Sequence, residues 1–131
     1  MYLGGRSQVI ASQGFARNDF KLLSCFLEQD EWTATQLTGA IAADASRVSR
    51  LVNGLVQRGL LRRRRRVDDR RVVRLMLTDE GISVARGLAE RVREYDDHML
   101  AGVTDDEREA LIELTSKVLA NHAALQDGPS D

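Results

Sequence analysis

The sequence predicts a mainly α-helical chain with one small β-hairpin, arranged as a winged helix-turn-helix module with helices before and after it. Three observations lead there. Val48, Leu51, Val52 and Leu55 recur at i, i+3, i+4 and i+7, one apolar stripe on a helix whose other face is polar and basic. Gly59 stops that helix, and an arginine run from Arg62 to Arg66 follows at once. Beyond Asp68-Asp69-Arg70-Arg71, Val73, Leu75 and Leu77 alternate with Val72, Arg74 and Met76, as a strand with one better-buried face does.

In chain order, Gly4-Gly5 and Gly14 confine a first helix to about Arg6–Ser12, carrying Val9 and Ile10. Asn18 or Asp19 caps a second helix from Phe20 to about Gln29, apolar around most of its girth and so expected at the centre. Glu28 to Trp32 reads as a polar turn. Thr33-Ala34-Thr35-Gln36 is a capping box opening a third helix, with Leu37 and Ile41 inward. Ala42-Ala43 then turns into Asp44, the N-cap of the striped helix. Gly59 suits its left-handed C′ position, with Leu60 folding back on Leu55. After the hairpin, Thr78-Asp79-Glu80 opens a long helix reaching about Leu100, with Ala85, Leu88, Val92 and Met99 on one face. Gly102 breaks it, and Thr104-Asp105-Asp106-Glu107 caps the last helix, where Leu111, Leu114, Val118 and Leu125 fall at helical spacing.

These elements suit a single domain over 1–131: a short N-terminal helical segment (1–17), the winged helix-turn-helix (18–78), C-terminal dimerisation helices (79–126) and a tail (127–131). Two long terminal helices have little to pack on within so small a module, so their stripes are expected to pair with a second copy. Val9, Ile10, Leu88, Val92, Met99, Leu111, Leu114, Val118 and Leu125 are the candidate dimerisation residues. No stretch approaches the roughly 18 consecutive apolar residues of a membrane span, and Met1-Tyr2-Leu3-Gly4-Gly5 opens no signal peptide, so a cytoplasmic protein with no membrane partner is expected. One cysteine excludes an internal disulfide and a multi-cysteine zinc site.

The net charge of −1 conceals a division. Residues 44–78 hold eleven arginines against three aspartates, and the remainder holds eight basic and seventeen acidic groups. A basic module on an acidic body meets phosphate with one face and repels it elsewhere. On the striped helix, Ser46, Arg47, Ser49, Arg50 and Asn53 offer hydrogen-bonding groups and positive charge with no acid among them, and arginine can fork to guanine O6 and N7. On the hairpin, Arg64, Arg66, Arg70, Arg71 and Arg74, with Asp69 among them, form the candidate wing site, its arginines supplying affinity through phosphate more than sequence choice. Double-stranded DNA is the expected partner.

The sequence resembles the multiple-antibiotic-resistance-regulator (MarR) family of repressors. The likeness rests on Asp44-Ala45-Ser46-Arg47-Val48-Ser49-Arg50-Leu51-Val52, on Leu55-Val56-Gln57-Arg58-Gly59-Leu60-Leu61-Arg62-Arg63, and on Asp69-Arg70-Arg71 followed by Leu75-Met76-Leu77-Thr78-Asp79-Glu80-Gly81. It implies a homodimeric winged-helix repressor of a palindromic operator whose recognition helix enters the major groove. It further implies that Ser46, Arg47, Ser49 and Arg50 face that groove, that Arg71 reaches the minor groove, and that Asp69 steadies it. Many members release DNA on binding a small aromatic or phenolic effector between the dimer helices and the DNA module. Two departures stand out. Fewer than twenty residues precede the second helix, against a long first helix in the family, so the C-terminal helices are expected to carry more of the dimer and any ligand pocket to be reduced. Ala42 stands where the family often has glycine, implying a slightly altered bend.

Plainer readings exist for each feature. A basic helix face can be merely solvated, and charged edge strands deter aggregation. Cys25, on the apolar second helix, reads as packing rather than as a redox sensor. Trp32 and Tyr95 could line a pocket or simply pack. His98 and His122 lie on different helices, and with Glu94 or Asp97 make a poor metal set, so no metal is expected. With no Gly-rich phosphate loop and no nucleophile–base pair, neither an enzyme nor a cofactor is expected. The competing function is a winged-helix protein-interaction or architectural module with weak, non-specific DNA binding.

Overall fold

The structure, a computed structural model, describes residues 2–65, 67–69 and 71–128. Arg66 and Arg70, two of the wing candidates, lie outside the described residues. The elements run α1 (Tyr2–Ser12), α2 (Arg17–Cys25), α3 (Ala34–Ile41), α4 (Ala45–Gln57), β1 (Leu61–Arg65), β2 (Val73–Leu77), α5 (Asp79–Met99) and α6 (Asp105–Gln126). They divide into two compact units, 1–95 and 96–131.

In the first unit, Leu22, Leu23, Leu37, Val48, Val52, Leu55, Leu61, Leu75 and Leu88 form one buried cluster. The expected stripe of α4 is its centre: Val48 and Leu55 are essentially inaccessible, and Leu51 packs against them half-buried. Each fully buried leucine or valine contributes about 1.5–3 kcal/mol relative to exposure, so this stripe holds α4 to α2 and α3. The β1–β2 register pairs Leu61 with Leu77, Arg63 with Leu75, and Arg65 with Val73.

Three expectations need correction. α1 starts at Tyr2 and runs through Gly4-Gly5 rather than beginning near Arg6. A Cβ on Gly5 would lie 1.7 Å from Tyr95 Oη, so glycine here admits the Tyr95 ring, and that close packing offsets its poor helix propensity. α2 begins at Arg17, with Asp19 reaching back to accept the Ala16 N–H at 2.8 Å, and it ends at Cys25 instead of near Gln29. The indole N–H of Trp32 donates to the Cys25 carbonyl at 3.0 Å, and the following turn tightens through Phe26 N–H to Leu23 O (3.2 Å) and Leu27 N–H to Ser24 O (3.1 Å). Nor is Trp32 merely part of a polar turn. It forms a β-bridge to Leu75, with Leu75 N–H donating to Trp32 O at 2.7 Å and Trp32 N–H to Leu75 O at 3.1 Å.

Ala42 adopts φ 52°, ψ 46°, so alanine holds the left-handed bend that glycine takes most readily. For an L-residue this costs roughly 1–2 kcal/mol, partly offset by the greater unfolded-state freedom of glycine. Ala42→Gly is expected to stabilise the fold by about 0.5–1 kcal/mol in urea unfolding; a destabilised variant would contradict the strain.

In the second unit, Gly102 takes φ 82° after α5, and the Thr104 capping box is formed: Glu107 N–H donates to Thr104 Oγ1 at 3.2 Å, and Thr104 N–H to Glu107 Oε1 at 3.0 Å. No α6 residue is buried within the chain. Of the candidate dimerisation residues, Met99, Leu111, Leu114, Val118 and Leu125 are exposed, Val9 is half-buried, and Ile10, Leu88 and Val92 are already covered by their own chain.

Candidate nucleic-acid interface

The candidate interface starts from the N-terminus of α4. Asp44 Oδ1 accepts the Arg47 N–H at 2.8 Å, fixing where the helix begins and so which residues face outward. From there the apolar stripe points inward, and Ser46, Arg47, Ser49, Arg50 and Asn53 are all exposed on the opposite face. The hydrogen bond from Arg47 N–H holds the Asp44 carboxyl below its usual value, helped by the Arg47 and Arg50 charges. A lowered folded pKa means that the unfolded chain binds this proton more tightly. The stabilisation is therefore present in full above about pH 3.9 and fades as pH falls through the lower folded value. Asp44→Asn keeps a capping side chain without the charge. The stability advantage of wild type over Asp44→Asn is expected to vanish on acidification in urea titrations; a difference independent of pH would contradict this origin.

The C-terminal end of α4 is closed as the sequence indicates. Gly59 takes φ 75°, its N–H donates to Val56 O at 3.0 Å, and Leu60 N–H donates to Leu55 O at 3.0 Å, the paired bonds of a Schellman motif. Arg58 donates to Gly14 O at 3.0 Å and stacks over the Phe15 ring, 4.0 Å from its centre. Thr78 is a second tie that sequence reasoning read only as a helix cap. Its hydroxyl donates to Gly59 O at 2.6 Å and accepts the Gly81 N–H at 3.0 Å, locking the start of α5 onto the end of α4.

In the wing, Asp69 Oδ1 accepts the Arg71 N–H at 3.0 Å, and Val72 N–H donates to Asp69 O at 3.2 Å. The aspartate thus fixes the backbone at Arg71, whose exposed side chain stands at the hairpin tip. Arg64 and Arg74 face each other across the strands. Arg64 is exposed, while Arg74 is half-buried, with its Nε shielded from solvent. Both border a groove with Glu31 and Asp68. Sequence reasoning left Arg63 out of the site, yet its guanidinium donates to Asn53 Oδ1 and so ties the wing to the recognition face. The signal was its parity: Arg63 shares a strand face with Leu61, which is buried.

Elsewhere, Cys25 is half-buried and its thiol donates to Lys21 O at 3.4 Å. Burial pushes its pKa up, as does the nearby Glu28 charge, which suits packing more than reactivity. Among the described residues, no group of three or more His, Cys, Asp or Glu side chains is placed to hold a metal ion, and no helix is long and apolar enough to cross a membrane.

Residues 15–73, the module just described, match the MarR family model. The HTH-type transcriptional regulator YpoP of Bacillus subtilis (strain 168) is 30% identical over 109 residues, covering 83% of this chain and 77% of YpoP. A crystal structure of a MarR-family transcriptional regulator from Silicibacter pomeroyi superposes with a TM-score of 0.69 at 28% identity, covering 92% of this chain and 81% of the other. At 22% identity, BpsR of Bordetella bronchiseptica, whose DNA binding is regulated by 6-hydroxynicotinic acid, shares the fold with a TM-score of 0.74 over 89% of this chain and 84% of its own. This chain belongs to the MarR family and is a DNA-binding transcriptional regulator.

Proposed function

We propose that the protein is a homodimeric repressor that occupies a palindromic operator through two copies of α4 and is released by a small aromatic or phenolic ligand. The observation that carries the dimer is α6. Leu111, Ile112, Leu114, Val118 and Leu119 are each 51–66% exposed on a helix with no buried residue, apolar surface that water disfavours and that a second copy would cover. A two-fold dimer presents two recognition helices to half-sites about one helical turn apart, which is why the operator is read as a palindrome. In this reading 1–131 acts as one functional domain, with 79–126 supplying the dimer helices. Release by a ligand draws support from BpsR, which shares the fold and answers to a hydroxylated aromatic acid.

Footprinting on DNA upstream of the protein's own gene, beside sedimentation at the same concentrations, tests this reading. A dimer protecting two inverted half-sites about 34–36 Å apart is expected. A monomer, or diffuse protection without inverted symmetry, would favour the architectural module instead. Adding 6-hydroxynicotinic acid and related phenolic acids to the complex tests release.

A further inference from the structure

A helix lying in the major groove and a hairpin tip reaching the neighbouring minor groove must have one sugar-phosphate strand between them, because that strand is what separates the two grooves. The structure fixes what that strand would meet. Between α4 and the hairpin runs an open groove of about 320 Å³, bordered by Ser49 and Asn53 of α4 and by Arg63 and Arg65 of β1, with Val52, Val73 and Leu75 along its floor. The ladder explains why these arginines and not their neighbours stand there. In antiparallel strands directly paired residues share a face, so Arg63 (opposite Leu75) and Arg65 (opposite Val73) lie on the face turned to α4, while Arg62 (opposite Met76) and Arg64 (opposite Arg74) lie on the other. Arg64 and Arg74 border a separate groove of about 310 Å³ that also carries Glu31 and Asp68, acids that would repel phosphate; Arg65, at the strand end, borders both. Of these two grooves, the α4-side one has no acidic side chain among the described residues that line it.

We propose that the α4–β1 groove is a phosphodiester seat, in which Arg63 and Arg65 contact the DNA backbone beside the recognition helix, while Arg64 and Arg74 do not. Arg63 also positions Asn53. Its bond to Asn53 Oδ1 uses one guanidinium donor and neither of the Asn53 amide N–H donors, so both side chains keep donors for DNA. The contact is charge-driven and carries no sequence information, so it sets affinity and register for the bases read from α4.

This inference rests on the DNA-binding reading, and its test separates the two. The salt dependence of binding to a short mixed-sequence DNA duplex is measured by fluorescence anisotropy for wild type, Arg63→Ala/Arg65→Ala, Arg64→Ala/Arg74→Ala, and Arg63→Lys/Arg65→Lys. Each lost phosphate contact lowers the slope of log K against log salt by about one unit. A drop of about two for Arg63→Ala/Arg65→Ala is expected, with a slope near wild type for Arg64→Ala/Arg74→Ala and for the lysine pair, which keeps the charge and reports that the fold is intact. Equal losses from both alanine pairs, or no loss from Arg63→Ala/Arg65→Ala while wild type binds, overturn the seat and leave DNA binding standing. No binding by wild type at low salt overturns both.

Discussion

Gly81→Ala is expected to destabilise the protein by at least about 2 kcal/mol and lower its melting temperature by roughly 6–12 °C. Gly81 is buried in the first turn of α5, where an added Cβ would lie 2.0 Å from Leu60 O and 2.9 Å from the Leu60 carbonyl carbon. No rotamer change relieves a clash with backbone. Moving that carbonyl disturbs the Thr78 N–H bond it accepts at 3.0 Å, and Leu60 is itself held by its N–H bond to Leu55 O. The remaining escape is to lift α5 from the end of α4, which also strains the Thr78 hydroxyl tie to Gly59. Gly87, on the same helix, is the control. Nothing lies within 4 Å of its added Cβ, so Gly87→Ala is expected to stabilise by about 0.5–1 kcal/mol through helix propensity alone. Thermal melts of the two variants settle the matter; a Gly81→Ala protein that melts with wild type would show that α5 does not seat on Leu60 this closely.

The second large effect is expected from α6. Leu111→Glu/Val118→Glu places two carboxylates on the exposed apolar stripe, where a partner helix would have to desolvate them. The double variant is expected to sediment as a monomer and to lose about 10²–10⁴-fold in operator affinity, because each half-site then binds without its tethered neighbour. Both positions are exposed in the chain, so the helical circular dichroism should be kept. A variant that remains dimeric and binds its operator as wild type does would move the dimer interface elsewhere.

The residues themselves explain how much of this was legible beforehand. The α4 stripe, the Gly59 stop and the capping boxes at Thr33 and Thr104 depend on contacts within a turn or two, and each was found where periodicity and capping chemistry put it. The exposed face of α4 follows from the same periodicity, so Ser46, Arg47, Ser49 and Arg50 were placed correctly on an open surface. What was missed depends on partners distant in sequence. Gly5 reads as a helix breaker until Tyr95 fills the space beside it. α2 ends early because of an indole seven residues on, and Trp32 becomes strand only by meeting Leu75. Within the arginine run five like residues carry no alternation, so strand parity had to be anchored on Leu61 just before it, a signal that was passed over. Pairing with Leu75 and Val73 then shows that Arg63 and Arg65 turn toward α4.

The most direct test of the central claim, that α4 reads bases while the hairpin tip anchors the duplex, is one titration. Wild type, Arg50→Ala and Arg71→Ala are each bound to the duplex from upstream of the protein's own gene and to a scrambled duplex at matched salt. Wild type should prefer the native duplex, and Arg50→Ala should lose about 10–100-fold on it, the equivalent of about 1–3 kcal/mol, with little change on the scrambled one. Arg71→Ala should weaken binding to both. If wild type binds both duplexes equally, or Arg50→Ala lowers both affinities alike, the exposed face of α4 supplies charge and not base recognition.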